Sequence, residues 1–149
     1  MVDMTDFEDL PLGYLLSRVI AALRAEVSPV LESLGLTFPE YICMRLLSKS
    51  PGMSNAELAR EANVSPQAMN TVLRGLQDRG LVTRPASVQS GRSLPAQLAS
   101  KGTELLNRTD PGIWAAEDRV LGGLTAAQRR EFKRLLGTVG TGLTAATHR

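Results

Sequence analysis

Residues 54–80, SNAELAREANVSPQAMNTVLRGLQDRG, restrict the possible fold more than any other stretch of the chain. They spell two capped helices joined by a short turn. Ser54 is a good N-cap, and Glu57 stands three residues on, at the spacing of a capping box. Leu58, Ala59 and Ala62 form a small apolar face suited to crossing a second helix closely. Asn63 tolerates left-handed backbone, and Val64 can plug the gap between the helices. Ser65 caps the second helix, and Pro66 takes its first position, where the missing N–H costs nothing. Two short helices joined in this way make a helix-turn-helix.

The second helix has two opposed faces. Met69, Val72, Leu73 and Leu76 recur at helical spacing as an apolar stripe. Gln67, Asn70, Thr71 and Arg74 stand at i, i+3, i+4 and i+7 and project together from the other side. Amides suit adenine, arginine suits guanine or phosphate, and threonine can meet a thymine methyl. Any solvated helix also has a polar face opposite an apolar one. The preceding helix and turn tip the balance toward double-stranded DNA as the partner.

A wing follows. Gly80 ends the recognition helix at a position that favours glycine. Residues 81–84, Leu-Val-Thr-Arg, read as a short strand, residues 85–93 as a loop, and residues 94–98 as the returning strand. Pro95 lacks a ladder donor, so that strand is expected at an edge or irregular. Arg92 beside Gly91 at the loop tip can enter a narrow minor groove, or simply be solvated.

Charge is distributed to match. The whole chain has a net charge of only +2, but residues 1–40 hold two arginines against seven acids. Residues 41–101 hold eight lysines and arginines against three acids, and residues 102–149 hold seven against five. The basic middle is the segment expected to meet phosphates, and the acidic start should face away from them.

Together these features resemble the multiple antibiotic resistance regulator (MarR) family of winged-helix transcription factors. The resemblance rests on Leu36-Thr37-Phe38-Pro39-Glu40-Tyr41 entering a helix, Ser54-Asn55-Ala56-Glu57-Leu58-Ala59 opening the helix-turn-helix, and residues 65–74 as recognition helix. Leu76-Gln77-Asp78-Arg79-Gly80-Leu81-Val82 leads into the wing, and Leu98-Ala99-Ser100-Lys101-Gly102 leaves it. The match runs over residues 12–143. It implies a mainly α fold with a small β-wing: a winged helix-turn-helix over 36–100, flanked by dimerisation helices in 1–35 and 101–149. It further implies an obligate homodimer on a pseudo-palindromic operator, usually repression, and often relief by small aromatic acids or oxidants. The DNA-contacting set is expected to be Ser54, Asn55, Ser65, Pro66, Gln67, Asn70, Thr71, Arg74, Arg84, Ser90 and Arg92.

The chain departs from the family pattern in places. Pro85-Ala86-Ser87 stands where an acid commonly steadies the wing arginine, and Asn63 replaces the commoner turn glycine. Pro111 falls inside what is normally a long dimerisation helix, where it should kink or break the helix near Thr109-Asp110. Alternatively, Asp110 could cap a helix restarted at Pro111.

Both ends have amphipathic helical patterns. Leu12, Leu15, Leu16, Val19, Leu23, Val27 and Leu31 share one face, with Pro29 suggesting a bend or early end. Thr125 and Gln128 have capping-box spacing, ahead of Phe132, Leu135, Leu136, Val139 and Leu143. A winged helix cannot absorb two such helices, so pairing with a second chain is favoured. Gly137, Gly140 and Gly142 should weaken the last turns, so fraying is expected beyond Leu143.

In the resembled family a ligand pocket lies where the dimerisation helices meet the winged helix. The residues expected there are Tyr14, Arg18, Tyr41, Met44, Arg45, Met69 and Leu73, an acid-binding and apolar set suited to a small aromatic carboxylate. Interface packing is the plainer role for each, and a dimer core is the plainer role for Trp114. Cys43, within TFPEYICMRLL, is either a buried small hydrophobe or an oxidant sensor. A redox-sensing regulator is therefore one alternative. A winged-helix module that reads a protein with the same polar face is another.

Other classes find little support. The single histidine, His148, lies near the chain end, and no Cys/His cluster has metal-ligand spacing, so neither enzyme, metal nor cofactor is expected. At 149 residues and 43% hydrophobic, the chain can bury one core plus a dimer interface. It has no membrane-length apolar run, no basic leader in MVDMTDFEDL and a single cysteine, which together suit the cytoplasm.

Overall fold

The computed structural model describes residues 6–85 and 95–146, with side chains up to residue 141. A 3-10 turn, Phe7–Asp9, precedes α1 (Leu12–Ser33), α2 (Phe38–Lys49), α3 (Asn55–Glu61) and α4 (Pro66–Asp78). Strands β1 (Val82–Thr83) and β2 (Gln97–Leu98) follow, then α5 (Ser100–Val120) and α6 (Ala126–Ala146). The chain is therefore mainly α with a small antiparallel sheet, as expected. It divides into two compact units. One is Arg24–Trp114; the other joins the residues up to Leu23 with those from Ala115 onward.

The central unit holds the helix-turn-helix and the sheet. Its helices begin where local chemistry can satisfy free backbone N–H groups. Thr37 and Glu40 form a complete capping box at α2, with the Thr37 N–H donating to Glu40 Oε1 at 2.9 Å. Ser54 Oγ accepts from the Glu57 N–H at α3, and Ser65 Oγ from the Ala68 N–H at α4. Asn63 turns the chain between α3 and α4 with φ of 55°. At the end of α4, Gly80 adopts φ of 73°. There its N–H donates to the Gln77 carbonyl and that of Leu81 to the Leu76 carbonyl, closing the helix in a Schellman arrangement.

Packing then fixes the helices against one another. Cys43, Met44, Leu47, Leu58, Met69, Leu73 and Leu76 have no exposed surface, so α2, α3 and α4 share one core. Each such aliphatic side chain contributes on the order of 2 kcal/mol of burial. Strand β1 pairs with β2 in the register Val82 to Leu98 and Thr83 to Gln97. Met53 adds a third, single-residue bridge to Ala96, a pairing that the sequence reading lacked. The returning strand is shorter than expected: it occupies Gln97–Leu98, and Pro95 lies outside it. The expected wing tip, with Ser87, Gln89, Ser90, Gly91 and Arg92, lies outside the described residues.

Neither proline interrupts its helix, so the break expected near Thr109-Asp110 and the early end expected at Pro29 are absent. α5 runs unbroken from Ser100 to Val120 through Pro111, and α1 continues past Pro29 to Ser33. In each case packing on both sides of the proline outweighs the lost bond. Leu105, Leu106 and Ile113 are buried around Pro111, and an alanine Cβ at Gly112 would stand 2.6 Å from Val30 Cγ1. Val27 and Leu31 are buried around Pro29.

In the other unit, α5 ends and α6 begins in an antiparallel hairpin. Thr125 and Gln128 form the expected capping box. Arg129 pairs with Asp118 at 2.6 Å and Lys133 with Glu117 at 2.7 Å. Helix α6 continues to Ala146, beyond the fraying expected after Leu143. Leu12 on α1 is 66% exposed and Val139 on α6 is 60% exposed, with Ile20, Leu135 and Leu136 also open. No described helix is long and apolar enough to cross a membrane.

Candidate nucleic-acid interface

Helix α4 presents the chemistry. Met69, Leu73 and Leu76 are sealed in the core, which fixes the helix's rotation about its own axis. That rotation turns Gln67, Thr71 and Arg74 fully outward, with Asn70 half-buried beside them. The sequence-expected polar face therefore forms. Thr71 Oγ1 donates to the Gln67 carbonyl at 3.2 Å, leaving its methyl and lone pairs outward. Ser65 and Pro66 are exposed at the start of the same helix.

Two expected DNA contacts have structural partners already. Asn55 Nδ2 donates to the Pro66 carbonyl at 3.0 Å, tying the start of α3 to the first turn of α4. Arg84 donates from both Nε and Nη2 to Gln77 Oε1, at 3.0 and 2.8 Å. This clamps the first wing strand to the last turn of the recognition helix. Neither tie was visible beforehand, because amide and guanidinium groups carry no sequence mark of an intramolecular partner.

Other ties support the same helix from behind. Arg79, immediately after α4, donates to the Gly35 carbonyl at 2.7 Å and faces Glu40 at 3.7 Å. Lys101 Nζ donates to the Arg79 carbonyl at 3.1 Å. The recognition helix is thus anchored at its C-terminal end to the α1–α2 turn and to α5.

The residues expected to hold a ligand are dispersed in character. Met44, Met69 and Leu73 are wholly buried and belong to the core. Arg45 forms an ion pair with Asp110 of α5 and lies over the Tyr41 ring at 6.0 Å. Partial burial opposes the Arg45 charge, but bonds to Asp110 and Tyr41 outweigh it and raise its pKa. Tyr14 and Arg18 belong to the other unit, where the guanidinium lies 5.9 Å from the ring centroid. Among the described residues, no group of three or more His, Cys, Asp or Glu could hold a metal.

Cys43 has no exposed surface. Burial pushes its thiol up to about 12, with Arg84 pulling down and Glu40 pushing up. A neutral, enclosed thiol is a poor nucleophile, so the geometry does not favour the redox alternative. Maleimide is expected to label Cys43 only after denaturation; rapid labelling of the native protein would contradict this. The buried thiol's contribution to stability is present below the free-thiol value of 9.0 and lost as pH rises toward about 12, where only the unfolded chain releases the proton.

Comparison with known proteins agrees with this geometry. The sequence pattern of the MarR family matches residues 36–94. The HTH-type transcriptional repressor Rv2887 of Mycobacterium tuberculosis is 61% identical over 134 residues, covering 90% of this chain and 96% of that protein. A crystal structure of the M. tuberculosis MarR family protein Rv2887 in complex with DNA aligns with a TM-score of 0.74 at 57% identity, over 89% of this chain and 99% of that one. The same protein in complex with salicylic acid aligns at 0.70 with 60% identity, over 91% and 99%. At this level of identity across nearly its whole length, the chain belongs to the MarR family.

Proposed function

We propose that this protein is a sequence-specific, ligand-responsive transcriptional repressor that acts as a homodimer on a pseudo-palindromic operator. The observation that supports this best is α4. One face is sealed into the core, and the other offers Gln67, Asn70, Thr71 and Arg74 to a groove. Gln67, Asn70 and Arg74 read base edges, while Ser54, Ser65 and the wing arginine Arg92 meet phosphate or minor groove. The hydroxyls of Ser54 and Ser65 accept from the backbone and remain free to donate to phosphate oxygens. The complex of Rv2887 with DNA supports DNA as the partner here.

Dimerisation has its own support. Leu12, Ile20, Leu135, Leu136 and Val139 are open to solvent in the single chain, and apolar surface of this extent calls for a partner. A second copy supplies the symmetry that two half-sites about one helical turn apart require. Small aromatic carboxylates are the proposed effectors, given the complex of Rv2887 with salicylic acid.

Operator binding measured against salt tests the reading. The protein should shift DNA from its own upstream region, with affinity falling roughly a thousandfold or more between 50 and 200 mM salt if about six or more phosphates are contacted. DNA binding that is absent, or indifferent to salt, would rule the reading out.

A further inference from the structure

The recognition helix and the wing are the parts of this fold that DNA would meet, and little backbone holds them together. Residues 79–81 connect α4 to β1. Among the described residues, β1 pairs with β2 only through Val82 with Leu98 and Thr83 with Gln97. Pro85 follows on one side and Pro95 precedes on the other, and neither has an N–H to extend the ladder. Arg84 therefore stands where backbone pairing runs out. The angle between wing and helix at that point falls to side chains.

Gln77 supplies the partner. It stands seven residues after Asn70 and three after Arg74, so its spacing continues the polar face of α4. Spacing alone marks it as another group for DNA. Its side-chain oxygen is instead taken up by Arg84, whose Nε and Nη2 donate to Oε1 at 3.0 and 2.8 Å. Both side chains are half-buried, so water competes less for these charge-assisted bonds than it would on open surface. A guanidinium gripped through two N–H groups of one edge is held against rotation as well as displacement. The Gln77 backbone carbonyl also accepts from the Gly80 N–H at 2.9 Å, so the residue that closes the helix also holds the strand.

We propose that Gln77 is a positioning residue for operator recognition. Through Arg84 it holds the wing at one angle to α4, so that helix and wing reach neighbouring grooves in a single docking step. Gln77 reads no base. Without the clasp, the wing is ordered only at the moment of binding, and that ordering cost is subtracted from the affinity. The loss falls on the flank of each half-site, where the wing lands, rather than on its centre, where α4 lies. The inference rests on the repressor reading, since it assigns a role within DNA binding.

A double-mutant cycle on operator binding by the full-length protein tests it, with Gln77→Leu, Arg84→Lys and the two combined. Arg84→Lys keeps the positive charge and loses the paired donors, so it probes the clasp without relying on a new leucine. Each single variant should weaken binding about tenfold. The double variant should also be about tenfold weaker, because both changes remove one and the same tie. Hydroxyl-radical footprints should lose protection in the flanking minor groove and keep it at the centre of each half-site. A general loss of fold would instead weaken centre and flank alike. Wild-type affinity in both single variants would overturn the proposal. So would effects that multiply to about a hundredfold in the double variant, the mark of two separate DNA contacts, or protection lost equally at centre and flank. No operator shift by the wild-type protein would overturn the repressor reading itself, and this inference with it.

Discussion

Gly102→Ala should lower the thermal unfolding midpoint by roughly 5–10 °C. In an exposed helix the same change stabilises by about 1 kcal/mol, because alanine has the better helical propensity. Here geometry reverses the sign. A Cβ at Gly102 would stand 2.3 Å from the Leu81 carbonyl oxygen and 2.7 Å from Leu98 Cδ1. The first of these neighbours is backbone and cannot rotate away. That carbonyl also accepts from the Ala99 N–H at 2.9 Å, so yielding would break the bond that carries the chain from the wing into α5. Overpacking of this kind costs about 1–3 kcal/mol, and an immovable neighbour puts it toward the upper end. Gly75→Ala within α4 is the matching control: nothing lies within 4 Å of its Cβ position, so it should be neutral or stabilise by up to about 1 kcal/mol. Calorimetric melts at one fixed protein concentration compare the three proteins, since dimer stability depends on concentration. A Gly102→Ala melt equal to wild type would mean that α5 does not start against the wing in this way.

Asn70→Ala and Arg74→Ala should each weaken operator binding by about tenfold to a hundredfold, the equivalent of about 1–3 kcal/mol for a lost base contact. Both residues lie on the outward side of α4, while stability resides in the opposite face, so melting temperatures should not move. The two variants should differ in kind. Asn70→Ala relaxes the base preference at one position of each half-site, because an amide reads a base edge. Arg74→Ala does the same only if its guanidinium reads guanine. If Arg74 holds phosphate, binding weakens evenly across sequences and the salt slope becomes shallower by about one unit. Competition against operators altered one base pair at a time separates these outcomes. Wild-type affinity in both variants would remove α4 as the reading helix.

Several features were legible from short stretches of chain because they depend on neighbours a few residues apart. Ser54, Ser65 and Thr125 cap the helices that their side chains suggested. The stripe Met69-Leu73-Leu76 fills the core, which places Gln67, Thr71 and Arg74 outward. Gly80 and Asn63 adopt the left-handed backbone that their chemistry favours. The break expected at Pro111 does not occur, for the complementary reason. Its local preference to break a helix is real, but α5 continues through it because contacts with α1 and α2, far away in sequence, hold both sides. A rule built on neighbouring residues contains no account of those contacts.

The residues nominated for a ligand illustrate the same division. Arg45 was expected beside a ligand, and it has a partner, Asp110, 65 residues away on α5. Arg84, expected among the DNA contacts, also clasps Gln77, a tie that its residue type did not announce. The sequence by itself determined where the capped helices start and where α4 ends, which face of α4 is apolar, and that the middle of the chain is basic, since caps, periodicity and charge are properties of the local chain. Only the tertiary structure decided which charges are already paired, that Cys43 is enclosed, and that Arg79 and Lys101 tie the end of α4 to the turn after α1 and to α5. Those outcomes depend on side chains from separate helices meeting in space, and a polar residue's type does not state whether its partner is protein, solvent or ligand.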